Sequence, residues 1–310
     1  MSPSESDRRI RVFHLVWAPL GLGPFEAFLD SYRAHPAGSP HRLCILYNGF
    51  GPGADLGEYR SRLDGVEHEH LVVPEPVQDI AAYLFAARST DGESLCFLNS
   101  YSRVTRDGWL ECLSGHLALP RVGAVGATGS FESHSSVMLR YFPRPRVLSL
   151  PFLRSVYRLA RGRGRLAEHP ELGWIPSWRE YPLFPNPHLR TNGFMIRRAD
   201  MLRLKVGPLA TKQDAYRFES GRRSMTRQLL ARGLRPLVVG RDGLAYPIKD
   251  WPASRTFRSE DASNLLVTDN QTREYAEFDP ETRRIKAQDA WGNRAPATEA
   301  AAMAESHGRA

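Results

Sequence analysis

Two short stretches carry the residue types that could do chemistry. Residues 94–103, SLCFLNSYSR, are an apolar run that breaks at once into Asn99, Ser100, Tyr101 and Ser102. A strand that ends this way delivers polar side chains to the edge of a sheet, where open α/β proteins bind ligands. The donors here are neutral: an amide, two hydroxyls and a phenol that is protonated at neutral pH. Divalent cations favour charged oxygens, whereas hydroxyls and an amide can donate to phosphate oxygens. The stretch therefore suits phosphate oxygens bound without metal, with Mg²⁺ or Mn²⁺ as the less favoured reading. The second stretch, residues 216–224, YRFESGRRS, sets Glu219 within a turn of Arg222 and Arg223. A carboxylate can act as a general base, and guanidinium groups can clamp phosphates. The competing reading makes Glu219 an acid interacting with a helix dipole and the arginines a solvated face. Asp214 is a second candidate base, and Lys212, Arg217 and Arg190 are further candidate phosphate partners.

Other motifs carry less. GLGPFE, residues 21–26, follows a strand and precedes a helix, but Glu26 stands where a dinucleotide fingerprint needs its third glycine. No phosphate-loop lysine motif, GxSxG or HExxH is present. His68 and His70 in HEH are a weak metal candidate and read better as a solvated segment. Cys44 and Cys96 sit inside apolar runs and Cys112 in an expected helix, so three buried thiols fit better than disulfides or a zinc site.

The elements that must position these residues are legible as alternating periodicities. Apolar or β-branched runs at 11–17, 42–48, 68–73, 94–99 and 121–127 predict strands. Between them, apolar residues at helical spacing predict helices: Phe25, Phe28, Leu29 and Tyr32 in one, and Ile80, Tyr83, Leu84 and Ala87 in another. Strands alternating with helices of this length predict βαβ units: an α/β fold with a mostly parallel central sheet flanked by helices. The pattern breaks at an irregular Arg-rich insertion, 131–190. It returns with a strand and short helix at 191–202, a helix at 216–233 stopped by Gly233, and a strand at 235–240. We expect a domain over 11–243, an extension over 244–291 packed on it, and disordered ends at 1–10 and 292–310.

This order of elements resembles the nucleotide-sugar-binding core of GT-A-fold glycosyltransferases of the bacterial family 2 type, over roughly 11–130 and 190–243. LVWAPLG, the strand ending at Asn48, QDIAAYLFAA, LCFLNSYSR, VGAVGA, TNGFMIRRADML and YRFESGRRSMTRQLLARGL stand in the family's order. The departures are Asn99 and Tyr101 where the family's metal-binding aspartates stand, and Glu219-Ser220 in place of a Glu-Asp pair. The resemblance implies an inverting transfer of a sugar from a nucleotide-sugar donor to a saccharide or lipid-linked acceptor in surface polysaccharide biosynthesis. It implies Trp17, Asn48 and Asp79 at the nucleoside, and Asn99, Ser100, Tyr101 and Ser102 at the diphosphate. It places Asn192 and Gly193 by the donor sugar and makes Glu219 the base, with Asp214 as its substitute. Arg222 and Arg223 would then neutralise the leaving group, and no cofactor is expected.

Charge points to an anionic partner. The chain nets +8, and residues 140–165 hold eight arginines and no acid. Interleaved with apolar residues over 139–166, these could lie on an anionic membrane surface, form an acceptor flap, or pack as an ordinary helix. No run approaches the length that spans a bilayer, and the N-terminus lacks an apolar signal core. The expected location is cytoplasmic, peripheral at the inner membrane face. The rivals are a non-catalytic module of the same fold that binds a nucleotide or glycan, and a binder of anionic surfaces or nucleic acid. No nucleic-acid-binding motif supports the last.

Overall fold

A computed structural model describes residues 10–51, 53–141, 180–259 and 262–294. The Arg-rich stretch beyond residue 141, the helix expected within it and most of both terminal segments lie outside these residues. The architecture is α/β, with a mostly parallel eight-stranded sheet flanked by helices. From one edge to the other the sheet takes the strands that begin at residues 245, 235, 122, 193, 94, 10, 42 and 68. Its strands are β1 (Ile10–Trp17), β2 (Arg42–Asn48), β3 (His68–Val72), β4 (Ser94–Leu98), β6 (Val122–Gly126), β9 (Gly193–Arg197), β10 (Arg235–Val239) and β11 (Ala245–Pro247). Two-residue strands β5 (Arg103–Val104), β7 (Gly129–Ser130), β8 (His188–Leu189) and β12 (Val267–Thr268) form two small ribbons beside it.

The central strands are apolar on both sides because both faces are covered. On β1, Phe13 and Leu15 enter one core while Val12 and Val16 enter the other. The first core packs against α3 (Asp79–Arg88), through Ile80, Tyr83 and Leu84. The second packs against α1 (Gly23–Ala34) and α4 (Trp109–Leu117), through Phe28, Leu29, Trp109 and Leu113. Short helix α2 (Gly57–Ser61) precedes β3, and α5 (His134–Tyr141) follows β7.

β9 inserts antiparallel between β4 and β6. This puts the start of β9 beside the end of β4, with Gly193 opposite Leu98. The loop before β9 therefore reaches the same sheet edge as the polar end of β4, and Asn99 N donates to Asn192 O at 3.2 Å.

The helix expected over 216–233 is two helices. After α6 (Arg198–Leu202) come α7 (Lys212–Ser220) and α8 (Met225–Ala231). Gly221 breaks the run: a Cβ there would lie 2.5 Å from Arg217 O, so the chain turns where only glycine fits. Ser224 then caps α8 by accepting from Arg227 N. Gly233, at φ +70°, is the stop the sequence indicated.

Residues 245–291 add β11 to the sheet edge and two capped helices, α9 (Asn270–Glu277) and α10 (Pro280–Trp291). Trp251 and Trp291 are fully buried in the first core, and Trp291 Nε1–H donates to Phe257 O at 2.8 Å. Among the described residues, no helix is long and apolar enough to cross a membrane.

Candidate functional site

Parallel pairing puts the ends of β1, β2 and β4 on one edge, where Trp17 stands opposite Asn48. An open cleft of about 430 Å³ lies there. Trp17 forms one wall because Gly49, at φ +81°, leaves room for it: a Cβ on Gly49 would lie 2.8 Å from the indole. Asn48 is buried and spends both ends of its amide on the loop before α3. Its Nδ2 donates to Val77 O at 2.7 Å, and its Oδ1 accepts from Val77 N at 3.1 Å. Asn48 thus fixes the loop that carries Asp79.

Asp79 opens α3 with Oδ1 accepting from Ile80 N at 2.8 Å. Burial, helped by the charge of Glu219, pushes its carboxyl up to about 6 against the opposing effect of Lys212.

At the end of β4, Asn99 Oδ1 accepts from Tyr101 N at 2.9 Å, and the Ser102 hydroxyl lies 3.0 Å from the same oxygen. The carbonyl oxygen is committed to this turn, so Asn99 offers the cleft its NH₂ group. Ser102 is fully buried and also lies 2.6 Å from Asn192 O. It shapes the turn and does not line the cleft, whereas Asn99, Ser100 and Tyr101 do. Gly193 sits inside β9 against Val267 and also does not line it.

The loop before β9 supplies three buried residues in a row. Thr191 donates from both N and Oγ1 to Glu219 Oε2, each at 2.7 Å. On either side stand donors without a partner among the described residues, Arg190 Nη1 and Asn192 Nδ2. The rest of Arg190 is fixed: Nη2 donates to Gln271 at 2.6 Å and pairs with Asp269 at 3.3 Å, and its guanidinium lies over Phe257. Buried donors are rarely left unmet, and both of these residues border the cleft.

Glu219 borders two spaces, the cleft and a recess of about 140 Å³ lined also by Glu132, His134, His188 and Arg258. His188 Nδ1 lies 2.8 Å from Asn186 O, which makes Nδ1 the protonated nitrogen of a neutral ring. Burial depresses both imidazoles, against the charges of Glu219 and Glu132. Burial would raise the Glu132 carboxyl, but Arg258 at 2.7 Å holds it below the usual range.

Helix α7 divides the sequence-predicted residues. Lys212, Ala215, Tyr216 and Glu219 face the cleft, while Asp214, Arg217, Phe218 and Gly221 line a different pocket on the other side. Both sets have the spacing of one helical face. Asp214, the alternative base, lies off the cleft. It forms a capping box with Thr211 and pairs with Arg217. Arg222 and Arg223 follow the end of α7 and line the same outer pocket, so they do not form part of the cleft wall. Of the further candidates, Arg190 and Lys212 reach the cleft and Arg217 does not. Sequence reasoning missed Thr191 and the segment Asp269, Asn270 and Gln271. The latter is far along the chain and enters through the cap of α9, for which Asp269 and Thr272 at capping-box spacing were the only signal.

No protein-family model matches the chain, and no curated protein matches it. Solved structures do. A mannosyltransferase from Pyrobaculum calidifontis, in complex with GDP-Man and Mn²⁺, aligns over 97% of this chain and 79% of its own, at 14% identity and a TM-score of 0.45. A glucosyl-3-phosphoglycerate synthase from Mycobacterium tuberculosis, with Mn²⁺, UDP and phosphoglyceric acid, aligns over 65% of this chain and 60% of its own, at 18% identity and a TM-score of 0.37. The match thus spans less than two thirds of the synthase.

Both of those structures contain Mn²⁺, against the expectation of a site with no metal cofactor. No group of three or more metal-binding side chains occurs among the described residues. Yet the cleft is not the cationic cradle expected from the sequence. Its charged groups are Asp79, Glu219 and Asp269 against Lys212 and Arg190, one more acid than base. With Asp269 paired to Arg190, Asp79 and Glu219 are the carboxylates left to face a cation. One or two carboxylates with substrate phosphates and water are a common shell for Mg²⁺-type ions, so the residues present fit such an ion.

Proposed function

We propose that this chain is a GT-A-type glycosyltransferase of the family 2 kind, moving a sugar from a nucleotide-sugar donor to an acceptor hydroxyl with inversion. One observation carries the reading: a carboxylate, Glu219, held by two hydrogen bonds at the junction of a strand-edge cleft and a separate recess. A donor along the strand ends would bring its anomeric carbon towards Glu219, with the acceptor arriving from the recess side.

Trp17 and Leu20 give the nucleoside apolar walls. The Asn99 amide and the hydroxyls of Ser100 and Tyr101 offer donors to the diphosphate. Arg190 and Asn192 each border the cleft with one buried donor that has no partner among the described residues, Nη1 and Nδ2, which a ligand oxygen would meet after a small shift of the cleft wall. Thr191 fixes Oε2 of Glu219, leaving Oε1 to take the acceptor proton. The acceptor oxygen attacks the anomeric carbon, the carbon–oxygen bond to the diphosphate breaks, and the diphosphate leaves with the electron pair. A divalent ion held by Asp79 together with the diphosphate would supply charge neutralisation to that leaving group.

A saccharide or lipid-linked acceptor, and action at the inner membrane face, belong to this proposal through the sequence resemblance and the basic stretch 139–166. The oriented Glu219 speaks against a module that only binds. The excess of acid in the cleft speaks against a nucleic-acid track there.

A thermal-shift screen of UDP-, GDP-, dTDP- and CMP-sugars, with and without Mn²⁺, tests the proposal. A ligand of the folded state at a hundred times its Kd adds about 2.7 kcal/mol of stability. One base class should raise Tm by several degrees, and EDTA should diminish the rise. No shift with any donor under either condition refutes the reading.

A further inference from the structure

Beyond Glu219 the recess of about 140 Å³ has chemistry of its own. Three polar side chains border it with bonding capacity left open among the described residues. Arg258 donates from Nη1 to Glu132 at 2.7 Å, and its Nε and Nη2 have no hydrogen-bond partner. His188 donates from Nδ1 to Asn186 O, so Nε2 keeps its lone pair, and it too has no partner. Gln271 accepts from Arg190 through Oε1, and its NH₂ group is unengaged. Donors and an acceptor thus stand around a space that Glu219 shares with the cleft.

Arg258 is held there against its own backbone preference. Its φ is +43°, in the left-handed region, which costs free energy in a residue with a Cβ and persists only where the surroundings impose it. The imposing contacts are the ion pair with Glu132 and a guanidinium seated 4.9 Å from the centre of the Phe257 ring. Arg190 lies over the same ring at 4.2 Å.

The charges of the recess cancel. Among its described lining residues, Glu132 and Glu219 face Arg190 and Arg258. Arg258 is paired with Glu132, and Arg190 with Asp269. Burial holds His134 and His188 below their ordinary range, so both rings are uncharged at neutral pH. An anionic guest would meet no unpaired cation and would bring like charge against Glu219. An apolar guest would strand the donors of Arg258 and Gln271 without partners. An uncharged group that both donates and accepts satisfies all three side chains, and a hydroxyl does both.

We propose that the recess is the acceptor subsite and takes one uncharged sugar ring, its hydroxyls held by Arg258, His188 and Gln271 so that one of them faces Glu219. This rests on the glycosyltransferase reading and narrows its acceptor to one whose terminal residue bears no phosphate or carboxylate. The recess has room for about five waters at ~30 Å³ each, which suits a single ring.

The test is titration of the methyl glycosides of glucose, galactose, mannose and N-acetylglucosamine into the full chain, followed by saturation-transfer NMR. The nucleoside diphosphate of the donor selected by the thermal-shift screen is present throughout. At least one glycoside should bind saturably, and its counterpart with a phosphate or carboxylate at C6 should bind roughly tenfold more weakly, because like charges meet. Arg258→Lys keeps a cation on Glu132 and removes the open donors, and should weaken the glycoside roughly tenfold. His188→Asn keeps a donor for Asn186 O and removes Nε2, and should weaken it about threefold. The affinity for the nucleotide sugar, measured by calorimetry, should move in neither variant, which separates loss of the subsite from damage to the fold. A nucleotide sugar that binds while no glycoside does, a charged counterpart that binds as tightly, or a glycoside affinity unchanged in Arg258→Lys each overturns this inference and leaves the transferase reading standing. Failure of every nucleotide sugar in the screen overturns that reading and this subsite with it.

Discussion

Glu219→Gln and Thr191→Val together probe how the carboxylate works. Gln keeps an oxygen that can accept from Thr191 N and Oγ1, now 2.7 Å from Glu219 Oε2, so the fold and the donor cleft should survive. What it removes is a proton acceptor. General-base catalysis is worth roughly 10²–10⁴-fold, or about 3–5 kcal/mol of barrier, and kcat should fall by that factor with little change in donor affinity. Thr191→Val keeps the backbone donor and deletes the hydroxyl. A hydrogen bond to a charged group is worth about 1.5–3 kcal/mol, so kcat should fall roughly 10–100-fold, less than for the glutamine. The double variant should be little worse than Glu219→Gln alone, because orienting a group matters only while the group can act. The assay is release of nucleoside diphosphate under saturating donor once a turning-over pair is known. If Glu219→Gln stays within a few-fold of the unmodified chain, the carboxylate is structural. If Thr191→Val costs as much in the Gln background as alone, Thr191 acts through something other than Glu219.

Three further outcomes follow from burial. Asp79 sits near 6 in the native state against 3.8 ordinarily, so between about pH 4 and 6 the native state keeps a proton that the unfolded chain releases. Its contribution is full below that window and declines as pH rises through it, by about 3 kcal/mol; urea titrations at pH 4.5 and 7.5 should show Asp79→Asn flattening the trend. His14 has no partner for either ring nitrogen among the described residues, stacks on Phe28 at 3.7 Å between ring centres, and is driven by burial to about 3. It stays neutral in the native state while the unfolded chain takes up a proton below about 6.5, so stability drops as pH falls, by about 2 kcal/mol between pH 6.5 and 5, and His14→Phe should remove that slope. Trp291→Ala should cost about 3–5 kcal/mol in urea unfolding, since the indole is buried and its N–H is bonded; a cost under about 1 kcal/mol would mean that residues 245–291 are dispensable to the core.

The alternating strands and helices up to residue 126 were legible because each carries a complete periodic signal in its own residues. The break at Gly221 was not, because Met225 to Leu230 continue a helical pattern and the extended turn rests on one glycine whose conformation leaves no room for a Cβ beside Arg217 O. The same break decides the fate of Arg222 and Arg223. On one continuous helix from 216 they would have stayed within a turn of Glu219, but they leave the helix end and flank the outer pocket. Asp214 read as a spare base although Thr211 three residues earlier marks it as a cap. The polar residues after β4 were found from an apolar run that stops. Their partners Thr191 and Asp269 to Gln271 were not, because antiparallel insertion of β9 and the cap of α9 bring them to the edge from distant sequence. The expectation of a site without metal came from the neutral donors Asn99, Ser100, Tyr101 and Ser102 and did not weigh the acidity that Asp79, Glu219 and Asp269 bring to the same cleft.

Calorimetric titration of the nucleotide sugar selected by the thermal-shift screen, into the unmodified chain, Trp17→Ala and Glu219→Gln, tests the central claim most directly. The account predicts one-to-one binding, within about twofold the same in Glu219→Gln, and roughly 5–150-fold weaker in Trp17→Ala, where the stacking wall of the cleft is gone, by about 1–3 kcal/mol for a base on an aromatic ring. Binding that is indifferent to Trp17 would place the donor elsewhere on the molecule, and no binding of any nucleotide sugar would contradict the claim outright.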